Sequence, residues 1–207
     1  MKIGISGKSG SGKSSVARYI SDKLGFILVD LDIVSKNIRD KYKKEIQELV
    51  KKEIIVDDKI DSKKLGEILF EDKELMDKYN LYIYQKQLDV LKEYENDNIV
   101  IDSMFLPIMD IFNELDFKIY VKCDDIIRME RVIKRDSVSK EYFLARDKNS
   151  LNYNEGDFDF IINNENGFSG QVETILEKIK KWFDITFFIW NIVLDVLIGL
   201  FVLIQVY

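Results

Sequence analysis

The stretch Gly7-Lys8-Ser9-Gly10-Ser11-Gly12-Lys13-Ser14 constrains this chain more than any other. It fits the phosphate-loop pattern G-x-x-x-x-G-K-S/T without a mismatch. Before it, Lys2-Ile3-Gly4-Ile5-Ser6 is short and apolar enough for a buried strand; after it, Ser15-Val16-Ala17-Arg18-Tyr19-Ile20 reads as the opening of a helix. Strand, glycine loop and helix start, in that order, are the context the motif needs. Glycines at 7, 10 and 12 allow positive φ and close approach to a ligand. Successive N–H groups can then point inward as an anion nest backed by a helix N-terminus. Lys13 would carry its charge to the β- and γ-phosphates, and Ser14 would offer a hydroxyl to Mg²⁺. The expectation is a nucleoside triphosphate held by Gly7, Ser9, Gly10, Ser11, Gly12, Lys13, Ser14 and Ser15.

The rest of the composition narrows the chemistry. A chain of 207 residues suits one α/β domain plus an appendage. It has no histidine, which rules out histidine bases, Ser-His-Asp triads and histidine-ligated zinc. A general base must be Asp, Glu, Lys or Tyr. Cys123 is the only cysteine, so no internal disulfide or cysteine-cluster metal site is possible. A net charge of −6, with acids and bases interspersed, argues against a general nucleic-acid binder. The first strand starts at residue 2, so no signal peptide is expected.

In chain order, helix one should run from about Ser14 to Leu24, with Gly25 just past its end. A strand follows at Phe26–Asp30, then a charged helical stretch from Ile33 to about Ile55, and a turn at Val56-Asp57-Asp58. Asp61 can cap a helix carrying Leu65, Ile68 and Leu69, and another spans Lys73 to Tyr94. Strands three and four are Asn98–Asp102 and Phe117–Val121, with Pro107 in the connection between them. Asp124 can cap a helix to about Lys134, and Arg135–Asp147 is partly helical. Phe158–Ile162 is a fifth strand, and Val172, Ile175, Leu176 and Ile179 mark an amphipathic helix. Alternating strands and helices predict a mostly parallel five-stranded sheet covered on both faces. Ligands bind beyond the carboxyl ends of such strands, where the glycine loop, Asp30, Asp32, Asp102 and Ser103 fall.

Taken together, these segments resemble the dephospho-CoA kinase family of P-loop small-molecule kinases. The resemblance rests on Lys2–Ser14, Val29-Asp30-Leu31-Asp32-Ile33, the segment Ile60–Phe70 with its Lys-Lys-Leu-Gly-Glu, the strand ending at Asp102, Arg131-x-x-x-Arg135, and Asp159-Phe160-Ile161-Ile162-Asn163. It covers about residues 1–180. It implies a three-layer P-loop kinase fold over residues 1–182, with helical insertions for an acceptor and a lid at about 135–149. It also implies ATP-dependent phosphorylation of a ribose hydroxyl, with Asp32 as the base and dephospho-CoA as the acceptor. Where that family usually carries a His-Pro pair, this chain has Tyr82-Ile83-Tyr84-Gln85; where a Pro-Leu-Leu run is usual, it has Ser103-Met104-Phe105-Leu106. Deoxynucleoside monophosphate kinases share the outline and stand as the alternative. So does a nucleotide-binding regulator without an acceptor.

Each remaining candidate has a structural counterpart. Asp32 either accepts the acceptor's proton or caps the helix starting at Ile33. Asp30 orients metal-bound water or simply ends its strand. Asp102 sits where a carboxylate would reach Mg²⁺, or is an ordinary polar strand end. Arg131 and Arg135, at i and i+4, share a helix face, and Arg128 is placed to join them. Guanidinium groups suit the charge of phosphoryl transfer, and Arg146 could close from the lid. The alternative is a solvated basic face. Val121-Lys122-Cys123-Asp124 lacks the asparagine of a guanine-reading motif and reads as a strand end.

After Lys178, Lys180 and Lys181 the composition changes. Residues 185–207 are almost wholly apolar, interrupted by Thr186, Asn191, Asp195 and Gln205. The length suits a membrane-spanning helix. Asp195 costs roughly 3 kcal/mol, against about −5 to −10 kcal/mol from the Ile, Leu, Val and Phe residues, so insertion is favoured. The preceding lysines would keep the kinase domain cytoplasmic. Packing of this helix on the domain or on another copy is the alternative.

Overall fold

In the computed structural model, which describes residues 1–148, 150–185 and 193, a five-stranded parallel sheet lies at the centre. Its strands are β1 (Lys2–Ser6), β2 (Ile27–Asp30), β5 (Ile99–Asp102), β6 (Phe117–Lys122) and β7 (Phe160–Asn163), in the order β2-β5-β1-β6-β7. The phosphate-loop strand is thus the middle one. Side chains alternate across each strand, so one strand feeds two cores. Ile3, Ile5, Val100, Ile119 and Ile162 pack on one face against α1 (Lys13–Leu24) and the helix α8 (169–185). Ile99 and Ile101 join Leu106, Ile111, Phe112 and Leu115 on the other face. Each such fully buried side chain contributes about 2 kcal/mol. The expected α/β fold, three layers deep, is present.

Between β2 and β5 stands a helical insertion with its own core. It comprises α2 (Leu31–Lys41), α3 (Lys43–Val50), the strands β3 (Ile55–Val56) and β4 (Lys59–Ile60), α4 (Ser62–Glu71) and α5 (Lys73–Lys92). Ile38, Ile46, Ile54, Leu65, Ile68, Tyr79 and Ile83 fill its interior. One local expectation is corrected here. The helix expected from Ile33 to Ile55 is two helices broken at Tyr42 (φ −109°, ψ 30°) and ended by Lys51 in the left-handed region. The turn expected at Val56-Asp57-Asp58 is present as the tip of an antiparallel hairpin, with Asp57 and Asp58 both at positive φ. Such a pair matches the twist of a two-residue hairpin.

After β6 come α6 (Asp125–Asp136) and α7 (Lys140–Asp147), which return the chain to β7. Asp124 caps α6 as expected, accepting from the N–H groups of Ile126 and Ile127. Trp182 of α8 packs edge-on against Phe117. Apart from Ile185 and Val193, the apolar segment 185–207 lies outside the described residues. Among the described residues no helix is long and apolar enough to cross a membrane.

Candidate active site

The phosphate loop has the left-handed backbone foreshadowed at two of its three glycines; Gly7 is not at positive φ and serves close packing against the Val121 carbonyl instead. Gly10 (φ 81°) and Gly12 (φ 91°) are left-handed, where a side chain is strained. A Cβ on Gly12 would come within 2.2 Å of the Asn164 Nδ2, and one on Gly10 within 2.5 Å of the Arg128 carbonyl oxygen. Gly12 is the N-cap of α1 and contributes no side-chain cap. The N–H groups of Gly12, Lys13 and Ser14 take no partner among the described residues. The result is an open helix N-terminus with several amides free for an anion.

Three strand ends converge on this loop. Register places Asp102 opposite both Ile5 of β1 and Asp30 of β2. Asp102 is 2% exposed, and its Oδ1 lies 3.9 Å from the Lys13 Nζ. Burial raises its pKa; Lys13 and the Ser14 hydroxyl work against that shift, while the charges of Asp30 and Asp32 add to it. Oδ1 has no hydrogen-bond partner. A buried carboxylate oxygen without a partner, beside a serine hydroxyl at the mouth of a phosphate loop, is a hard-oxygen donor set of the kind Mg²⁺ takes. Among the described residues there is no cluster of three or more His, Cys, Asp or Glu side chains able to hold a metal unaided.

The cap that the sequence offered to Asp32 falls to Asp30 instead. Asp30 is the cap of α2: its Oδ1 accepts from the Asp32 N–H at 2.9 Å and the Ile33 N–H at 3.1 Å. Asp32 therefore does not cap the helix. It lies exposed in the first turn, and its charge reaches Asp102 and Arg135. The cap thus leaves Asp32 free of a structural duty.

The arginines divide. Arg131 donates to the carbonyls of Asn164 at 3.0 Å and Gly10 at 3.4 Å, tying the loop after β7 to the phosphate loop. Arg135 is exposed, paired with Asp136 at 2.7 Å, and within electrostatic reach of Asp32. Arg146, on α7, is exposed and acts on Asp136. Arg128 departs from expectation. It is 1% exposed, and its bonds go to Asp125, Asp147 and the Ser9 carbonyl. It does not join a phosphate-facing set.

Three contributors to the site were not legible as such. Asn164 is buried and donates its amide to the Ser11 carbonyl at 2.8 Å. The Tyr153 hydroxyl donates to the Met104 carbonyl at 2.7 Å, and its ring packs on Tyr120. Asp147 holds Arg128. A polar residue directly after an apolar strand was the available signal for Asn164; nothing local marks Tyr153 or Asp147.

Comparison with known proteins agrees with this geometry. A family described as dephospho-CoA kinase matches residues 1–169. A dephospho-CoA kinase of Fusobacterium nucleatum is 31% identical over 193 residues, covering 88% of this chain and 96% of that protein. A solved Thermus thermophilus structure has a TM-score of 0.74 at 23% identity, covering 87% of this chain and 96% of that one. A Campylobacter jejuni dephospho-CoA kinase structure has a TM-score of 0.57 at 21% identity, covering 87% and 98%. Both structures speak for the fold. The family match takes in the glycine loop and every strand of the sheet, and on that span the chain belongs to the dephospho-CoA kinase family.

Proposed function

We propose that this chain transfers the γ-phosphoryl group of ATP to the ribose 3′-hydroxyl of dephospho-CoA, giving CoA. The observation that carries the reading is the convergence of the open phosphate loop, the Lys13–Asp102 pair and the uncommitted Asp32 at the carboxyl ends of three adjacent strands. Membership of a kinase family agrees with it.

In this reading the loop from Gly7 to Ser15 grips the triphosphate, with the amides of Gly12, Lys13 and Ser14 free to donate, and Lys13 holds its β- and γ-oxygens. Ser14 and Asp102 would hold Mg²⁺, which when bound offsets the charge of the phosphate oxygens. Asp32 aligns the acceptor hydroxyl for in-line attack and takes its proton. Arg135, within electrostatic reach of Asp32, and Arg146 face the charge that develops on the transferred group. Arg131 shapes the nucleotide side by bracing the loop after β7. The reaction then proceeds chiefly by positioning and electrostatics. Residues 1–182 form the kinase domain, with 135–149 as its lid. Segment 185–207 anchors the chain to a membrane and leaves that domain on the cytoplasmic side, on the strength of its length and hydropathy.

An acceptor screen tests the assignment. Purified chain, Mg²⁺ and ATP are offered dephospho-CoA or a deoxynucleoside monophosphate, and products are read by mass spectrometry. The expected result is CoA and ADP from dephospho-CoA, abolished by Lys13→Ala. Turnover of the monophosphate alone would transfer the assignment to nucleotide kinases. ATP binding without turnover of any acceptor would favour a regulator.

A further inference from the structure

The guanidinium of Arg128 has five N–H donors, and the protein uses all of them. Nε and one Nη2 hydrogen go to Asp125 Oδ1, at 3.2 and 2.7 Å. The other Nη2 hydrogen and one from Nη1 form a two-pronged pair with the Asp147 carboxylate, both at 2.9 Å. The remaining Nη1 hydrogen reaches the Ser9 carbonyl of the phosphate loop at 2.9 Å. No donor is left for a phosphate. The side chain is 1% exposed and its guanidinium lies 5.7 Å from the Phe143 ring centroid of α7. Burial opposes its charge, but Asp147 and Asp125 outweigh that and raise its pKa. One planar group thus touches the loop at Ser9 and the helix α7 at its last residue, next to Arg146. Beyond α7, the Tyr153 hydroxyl donates to the Met104 carbonyl after β5.

We propose that Arg128 is a positioning residue which, through Asp147, makes the phosphate loop and the helix Lys140–Asp147 move as one body. Resting on the reading that the loop takes ATP, the inference adds that the loop shape set by nucleotide also sets where α7 and Arg146 stand. Asp125 holds the same guanidinium from its own helix, with a side chain 79% exposed, and has no part in that link.

Hydrogen exchange on the full chain, with and without Mg²⁺ and ATP, reads the link directly. In the wild type, ATP should slow exchange both in the loop and across residues 140–147. In Asp147→Ala, ATP should still protect the loop, while its protection of 140–147 falls by about tenfold. Asp147→Asn, which keeps the shape and one acceptor, should be intermediate and serves if the alanine variant does not fold. Asp125→Ala should keep both protections. In turnover, Asp147→Ala should lower kcat about tenfold with KM for ATP within about twofold. Equal protection of 140–147 in wild type and Asp147→Ala would overturn this proposal alone. So would loss of it in Asp125→Ala, or a rise in KM with kcat unchanged. A wild-type chain that binds no ATP would overturn the functional reading, and this proposal with it.

Discussion

At the scale of single residues, position in the fold decides what a polar side chain is for. Lys13 and Asp102 were readable because a glycine motif and a strand end announced them. The cap of α2 was read as open to Asp32; the backbone gives it to Asp30. Arg128 looked like a candidate for phosphate because helical spacing cannot distinguish an arginine facing the loop from one buried beneath it. Asp102→Asn gives a prediction with a definite sign. Burial raises this carboxyl above its unfolded value, so its ionised form costs stability once pH rises through the folded pKa, and the cost is absent below the unfolded pKa. The amide should therefore leave the melting temperature at pH 7 unchanged or higher, while Mg²⁺-dependent turnover falls at least about a hundredfold. A lower melting temperature with activity retained would contradict the assignment. Gly12→Ala should fail differently, because φ 91° and the Asn164 contact both oppose a Cβ. We expect a loss of about 1–3 kcal/mol in denaturant unfolding, with nucleotide affinity lost alongside it.

At the scale of elements, caps and ties do the placing. Asp30 ends β2 and starts α2 in one residue, and so sets where Asp32 stands. Asp30→Ala should cost about 1 kcal/mol by chemical unfolding and lower turnover by displacing Asp32. The Arg128–Asp147 pair has a pH signature. The guanidinium holds the Asp147 carboxyl below its usual range. A depressed folded pKa means that its stabilisation is complete above the unfolded value of about 4 and is lost as pH falls through the folded one. Asp147→Ala should thus cost about 3 kcal/mol in urea unfolding at pH 7. The gap from wild type should narrow below about pH 4; a gap independent of pH would contradict the ion pair. Strands β1, β2, β5, β6 and β7 were visible in the sequence as short apolar runs. The turn at Asp57-Asp58 was visible too, but the break at Tyr42 was not, because charged residues without glycine or proline carry no strong stop signal.

At the scale of the whole molecule, the parallel sheet is what makes the site. Five strands point the same way, so the loop after β1, the cap after β2 and the carboxylate ending β5 meet at one edge although they are far apart in sequence. That meeting followed from the alternation of strands and helices and could be anticipated. The bonds that tie α7 and the loop after β7 back to the glycine loop depend on contacts across more than a hundred residues, and no local pattern encodes them. The apolar segment is a separate question at this scale. Removing 185–207 should move the chain from the membrane pellet to the soluble fraction of a detergent-free lysate; a full-length chain already in the soluble fraction would contradict the anchor. The account as a whole stands on the glycine loop, and calorimetric titration of the purified chain with ATP and Mg²⁺ tests it most directly. It predicts one saturable site whose affinity drops at least about tenfold, roughly 1.4 kcal/mol, in Lys13→Ala. No measurable heat of binding to the wild type, or the same affinity in both proteins, would contradict it.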